Sequence, residues 1–209
     1  GGSGFIGEEE GLRRGAAGVL FVDPEGTLWT GGDGLHKRLG EGRWTTWTRD
    51  QGLPSDIVWT VHRAGDGRLW AGTAGGAAVM EQGRWRVIPG TTQHQIMALA
   101  SDAAGRVWIG IVPNSGREPS GVWVCEAGQR SARRVNLPGM PPNAAILGLY
   151  RNGPKELLIA AAWAGLWRVD PSDPGLKAER IAIPGWPKEY GVQWVVGDGK
   201  GGFWTVEGS

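Results

Sequence analysis

Residues 52–61 read GLPSDIVWTV, residues 66–73 read DGRLWAGT, Gly75-Gly76 follow, and Gly83-Arg84-Trp85 closes the unit. The first apolar run, Ile57 to Val61, is rich in β-branched and aromatic residues and too short for a helix, so it reads as a strand. Asp66-Gly67 then closes a tight hairpin, because Asp bonds its own backbone and Gly accepts positive φ. Leu69-Trp70 begins a second strand, the glycine pair a turn, and Arg84-Trp85 a charged outer strand.

The same order recurs on both sides of this stretch. Asp23 leads to Trp29, Asp102 to Trp108 and Asp198 to Trp204, while Asn152 leads to Leu158 in a decayed copy with leucine in the tryptophan place. Successive anchors lie 41, 38, 50 and 46 residues apart. A period of about 44 residues is that of a four-stranded propeller blade. An apolar run precedes each turn: Val19–Val22, Ile96–Leu99, Ala145–Leu149 and Val192–Val196. Glycines after each tryptophan, such as Gly31-Gly32 and Gly75-Gly76, are expected to let the next loop turn at low steric cost. Third strands such as Leu35–Leu39 and Val122–Cys125 lead into charged outer strands at 42–47 and 83–88.

This rise in polarity has a physical reason. Innermost strands lie at an axis and are covered by neighbouring blades, while the fourth strand is the rim and meets water. The fold expected is all-β: a β-propeller of four-stranded antiparallel blades, with about five repeat units anchored at Trp29, Trp70, Trp108, Leu158 and Trp204 in one domain over residues 1–209. Phe5-Ile6-Gly7 with Gly11-Leu12 marks a further partial unit at Phe5. Burying a tryptophan between blades, at about 25 cal/mol per Å², contributes roughly 4–6 kcal/mol gross, so the rings are expected to hold the stack together. Two closures stay open. The chain is part of a larger, seven-bladed ring, which is the expectation, or the N-terminal strands complete the last blade of a five-bladed ring. The start at Gly1 fits a processed product, an excised domain or, as expected here, an incomplete reading frame.

Composition excludes several classes. There are 22 basic against 21 acidic residues, a net charge of +1, and no basic block, so nothing points to nucleic acid. The longest apolar stretch, Leu157 to Trp167, falls short of the roughly 18–20 residues that cross a bilayer, and no membrane contact is expected of this segment. Cys125 is the single cysteine, and His36, His62 and His94 are isolated in different repeats. No metal site and no cofactor is expected. The acidic run Glu8 to Glu10 reads as a solvated loop, and the glycine pairs precede no helix that would cradle a phosphate.

The composite string from Gly52 to Trp85 resembles the two-component regulator propeller repeat: a Leu-Pro-Ser loop, an apolar strand, an Asp-Gly turn, Leu-Trp-x-Gly-Thr and an aromatic outer strand. That resemblance implies the periplasmic or otherwise extracytoplasmic sensor region of hybrid histidine kinases and related regulators. It implies a non-catalytic ligand-sensing propeller that meets a small molecule, such as a saccharide, or a neighbouring receptor domain, within a homodimer of the full receptor. The acidic turns also resemble the Asp-box of sialidase-like propellers. With only Tyr150 and Tyr190 as tyrosines and no assignable acid and base, the aspartates are better read as turn formers, and no catalytic residue is assigned. A propeller enzyme, lyase or glycosidase-like, and a protein-interaction propeller are the alternatives. Loops joining strand two to three, and strand four to the next blade, share one face of a propeller, where ligands commonly sit. His94, Arg117, Trp163, Trp186 and Tyr190 are the candidate ligand-binding residues there, a set suited to stacking on a sugar ring or pairing with a carboxylate.

Overall fold

The computed structural model describes residues 12, 18–40, 43–113, 119–187 and 190–208. Phe5, Glu8 to Glu10 and Arg117 lie outside the described residues. Among the described residues, eighteen strands fall into five antiparallel sheets in chain order. Blade A holds β1 (Val19–Val22), β2 (Leu28–Gly32), β3 (Gly34–Gly40) and β4 (Arg43–Trp47). Blade B holds β5 (Val58–Arg63), β6 (Leu69–Thr73), β7 (Gly76–Glu81) and β8 (Arg84–Val87). Blade C holds β9 (Gln95–Ser101), β10 (Val107–Val112), β11 (Gly121–Cys125) and β12 (Ala132–Val135). Blade D holds β13 (Ala145–Arg151), β14 (Leu157–Ala162), β15 (Gly165–Val169) and β16 (Ala178–Arg180). Blade E shows β17 (Gly191–Gly197) and β18 (Phe203–Gly208). The sheets are the expected blades, and the fold is a β-propeller.

The first strands pack one on the next, β1 on β5, β5 on β9, β9 on β13 and β13 on β17. The anchor rings do the joining. Trp29 lies in one apolar cluster with Val58 and Leu69 of blade B, Trp70 with Ile96 and Ile109 of blade C, and Trp108 with Ile146 and Leu157 of blade D. Leu158 meets Val192 and Val195 of blade E. Each anchor therefore faces its C-terminal neighbour. Trp204 differs: it is 70% exposed, as are much of Trp194, Val196 and Val206 on the same face, whereas Trp108 is 0% exposed. No described blade covers it, so the expectation that every anchor is buried holds for four positions and not for the fifth.

The structure corrects two details of the repeat. First, the glycine two residues after the tryptophan does not serve the turn. A Cβ on Gly31 would lie 2.9 Å from Val58 Cγ1, on Gly72 2.8 Å from Ile96 Cγ2, and on Gly110 2.7 Å from Ile146 Cγ2. The glycine is a notch that receives a branched side chain of the next blade. Turning is left to Gly34, Gly76, Gly121 and Gly165, which open the third strands at φ of 92°, 142°, 127° and 89°. In blade D the notch is Ala160, and its cross-strand partner is Gly148, where blades A to C carry Val19, Thr60 and Ala98.

Second, the acid that matters stands six residues before the ring. Asp23 accepts from Trp29 Nε1 at 2.9 Å, and Asp102 from Trp108 Nε1 at 2.8 Å. In blade B that place is Ala64, Asp66 instead accepts from Arg68 at 2.7 Å, and the buried Trp70 Nε1 has no partner. Asp66 is thus not the counterpart of Asp23 and Asp102. The Asp23 carboxylate also takes Arg63 Nη2 of β5 at 3.0 Å, an ion pair across two blades. Burial pushes the Asp23 carboxyl up, but the bonds from Trp29, the Thr27 amide and Arg63 outweigh it and bring it down to about 2.

Candidate functional site

Loop contacts put the strand two-to-three turns and the blade-to-blade links on one face. The Gln93 amide donates to Gly75 O at 2.9 Å, the Gly34 amide to Asp56 O at 2.6 Å and the Ala74 amide to Ile57 O at 3.0 Å. On this same side, first strands β5, β9, β13 and β17 each carry one residue outside the ladder: Trp59, Met97, Leu147 and Gln193. Such bulges bend the strand and re-aim a side chain. Trp59 Nε1 is buried and unpartnered. Alternating hydrophobicity does not reveal these bulges, since an extra residue simply looks like a slip in phase.

The expected ligand residues separate into two corners. Trp186 and Tyr190, on the link between blades D and E, form an edge-to-face pair with ring centroids 5.1 Å apart and planes at 88°. Tyr190 is buried, and its hydroxyl donates to Ile181 O at 2.5 Å, which fixes the ring. Arg180, the last residue of β16, lies over the Tyr190 ring with its guanidinium carbon 5.0 Å from the centroid. These three, with Ile181, Ile183 and Pro187, line a cavity of about 180 Å³. Trp163 is not a wall of that cavity. It stands on the β14–β15 turn, two residues before Gly165, at whose Cα a Cβ would meet Arg180 Nε at 3.0 Å and Tyr190 Cε2 at 3.4 Å.

Trp163 is 79% exposed and holds φ at 61°. A bulky residue in the left-handed region is strained, and such strain persists where the surroundings impose it, often at functional sites. The following residues hold the turn: Trp167 Nε1 donates to Ala164 O at 2.8 Å.

His94 does not join this group. It begins the approach to β9, its ring lies 5.8 Å from Trp123 of blade C, and its Nδ1 is buried without a partner. Arg134 stacks on the other part of that corner, 5.4 Å from the Trp123 ring. Of the candidates, then, Trp186 and Tyr190 are in contact, Trp163 stands on the turn that leads into Gly165, His94 is elsewhere, and Arg180 is a member that sequence reasoning missed. Its only sequence signal is a basic residue on a rim strand, which is common to blades A to D.

Among the described residues no three His, Cys, Asp or Glu side chains are placed to share a metal ion, and no helix is long and apolar enough to cross a membrane. His62 of β5 accepts or donates a bond with Ser101 Oγ of β9 at 2.7 Å, and burial first, then the Arg151 charge, lowers its pKa to about 4.

Blade B, with its Leu-Pro-Ser link, Asp-Gly turn and glycine-started third strand, carries the decisive match. Residues 52–75 fit the two component regulator propeller. In overall shape the chain is similar to the extracellular domain of BT3049, a proposed hybrid two component system from B. thetaiotaomicron, with a TM-score of 0.75 and 17% identity over 97% of this chain and 29% of that one. It is also similar to the extracellular domain of BT4673 from the same organism, a proposed one component system, with a TM-score of 0.70 and 19% identity over 87% and 25%. A gluconolactonase from Xanthomonas campestris, XC5397, matches with a TM-score of 0.63 and 13% identity over 90% and 68%. The chain spans about a quarter of the two B. thetaiotaomicron structures. No curated protein matches it in sequence. The regulator propeller repeat and the blade architecture thus agree, and the neighbours place extracellular domains and an enzyme on the same fold.

Proposed function

We propose that this chain is an extracytoplasmic, non-catalytic ligand-sensing propeller of a two-component-type receptor. The observation that carries the reading is the D–E corner of the loop face. There Trp186 and Tyr190 form a fixed aromatic pair, and an exposed, strained Trp163 stands on the β14–β15 turn two residues before Gly165, whose bare backbone faces the Tyr190 ring. An exposed indole and a small cavity with an aromatic wall suit stacking on a saccharide or similar ring, because the ring's C–H face is apolar and its edge polar. The regulator repeat at residues 52–75 and the similarity to two extracellular receptor domains support the sensor role.

Fold alone does not assign chemistry. Among the described residues the loop-face corner presents aromatics and one arginine rather than an acid facing a base, which favours sensing over the catalysis of the gluconolactonase neighbour. Ligand occupancy would act by favouring one arrangement of the propeller and its neighbouring domains, through a difference in affinity between the two. Calorimetric titration of the chain with a panel of mono- and disaccharides tests the reading. A saturable heat that Trp163→Ala removes without lowering the melting temperature supports it. Hydrolysis or ring opening of any panel member by the chain would refute the non-catalytic part, and binding insensitive to Trp163→Ala would refute the site.

A further inference from the structure

Two arginines occupy one structural place in this chain. Arg134 of β12 pairs across from Trp123, and Arg180 of β16 from Trp167, each two residues beyond the positive-φ glycine that opens the third strand. Both stack on an aromatic ring, Trp123 at 5.4 Å and Tyr190 at 5.0 Å. Their hydrogen bonding differs. Arg134 donates through Nη2 to Ser120 O at 3.0 Å, Pro142 O at 2.5 Å and Asn143 Oδ1 at 2.7 Å, so one arm of its fork is engaged. Arg180 has no acceptor and no ion pair among the described residues; its neighbour Glu179 is taken by Arg168 at 3.1 Å.

We propose that the Arg180 guanidinium is an anion subsite, and that the sensed ligand carries a carboxylate on a six-membered ring. This rests on the D–E corner being the ligand site and names the ligand's chemistry. The guanidinium is already ordered between the Tyr190 face and the bare backbone of Gly165, where a Cβ would come within 3.0 Å of Nε and 3.1 Å of Nη2. A planar fork held in place this way pairs a carboxylate through two parallel N–H bonds with little further loss of side-chain freedom. Ile181, Ile183 and Trp186 give the cavity beside it an apolar wall for the ring that bears the carboxylate. The shared chemistry has two sources, a uronic sugar and an aromatic acid.

Calorimetric titration of the whole chain with D-glucuronate, benzoate and neutral D-glucose decides the matter. At least one acid is expected to bind about tenfold tighter than glucose, the scale of one charge-assisted pair. Glucuronate alone identifies the sugar acid, benzoate alone the aromatic one. Arg180→Gln is expected to remove that advantage, and Arg180→Lys, which keeps the charge and loses the fork, to reduce it about fivefold or more at an unchanged melting temperature. Equal affinity for glucose and both acids, with Trp163→Ala weakening all three, would leave the ligand site standing and overturn the anion subsite. No binding by any of the three would overturn both. An acid advantage that survives Arg180→Gln overturns the assignment to this residue.

Discussion

Ala64 sits where blades A and C carry the aspartate that fastens the anchor ring, and replacing it tests whether that latch is a transferable part. The three turns share their backbone bonds: Ala64 N donates to Arg68 O at 2.9 Å and Gly67 N to Ala64 O at 2.9 Å, as Asp102 N does to Arg106 O at 3.1 Å and Gly105 N to Asp102 O at 3.2 Å. Arg68 lies over Trp70 as Arg106 lies over Trp108, at 5.9 and 5.4 Å. Ala64→Asp therefore supplies an acceptor to the orphaned Trp70 indole inside an environment that already holds the cation. A bond to a charged acceptor contributes about 1.5–3 kcal/mol, and burying the carboxylate offsets part of it, leaving about 1 kcal/mol. For a chain of this size that raises the melting temperature by about 2–4 °C. The mirror substitution, Asp102→Ala, strips acceptors from the Trp108 indole, the Ala104 and Arg106 amides and the Arg106 side chain. Leaving a buried donor unpaired costs about 1–3 kcal/mol each, so a loss of about 3 kcal/mol and a fall of roughly 6–12 °C are expected. Differential scanning calorimetry at pH 7 reads both. A melting temperature for Ala64→Asp lower than that of the unaltered chain would refute the latch as an independent unit.

Three further outcomes follow from the geometry. Gly72→Ala places a Cβ 2.5 Å from Thr60 Cγ2 and 2.8 Å from Ile96 Cγ2, and is expected to cost about 1–3 kcal/mol in denaturant unfolding; adding Thr60→Gly, the pairing blade D uses, should recover part of it. Because the His62 pKa falls from 6.5 unfolded to about 4 folded, its contribution is fully present above pH 6.5 and is lost as pH drops toward 4; urea midpoints across that window should fall, and less so in His62→Gln. Trp163→Gly should stabilise the chain by up to about 1 kcal/mol by relieving left-handed strain while abolishing ligand binding, and an unchanged affinity would remove Trp163 from the site.

Much of the architecture was legible because it repeats. The anchors Trp29, Trp70, Trp108 and Leu158 stand as read, since a short apolar strand, a turn and a ring at fixed spacing admit few packings. The run Val19–Val22 is the expected strand, though Leu20 and Val22 are exposed where the pattern predicts cover by neighbouring blades. What escaped depended on other chain segments. The notch role of Gly72 becomes visible only with Ile96 against it, and Ala64 shows as a missing acid only once the Asp23 and Asp102 bonds are known. At the site, Trp186 and Tyr190 were legible as aromatics on a link, close in sequence and so close in space. Arg180 was not, because its significance lies in what it lacks compared with Arg134, a difference of hydrogen-bond partners rather than of residue type.

The extra residues Trp59, Met97, Leu147 and Gln193 stand outside the ladders that hold their blades together. An indole, a thioether, an isobutyl group and an amide occupy equivalent places, so the blade tolerates any of these chemistries there. Evolution can thus exchange these four side chains as independent fittings, altering what the hub offers to a visitor while the scaffold's own bonding stays as it was.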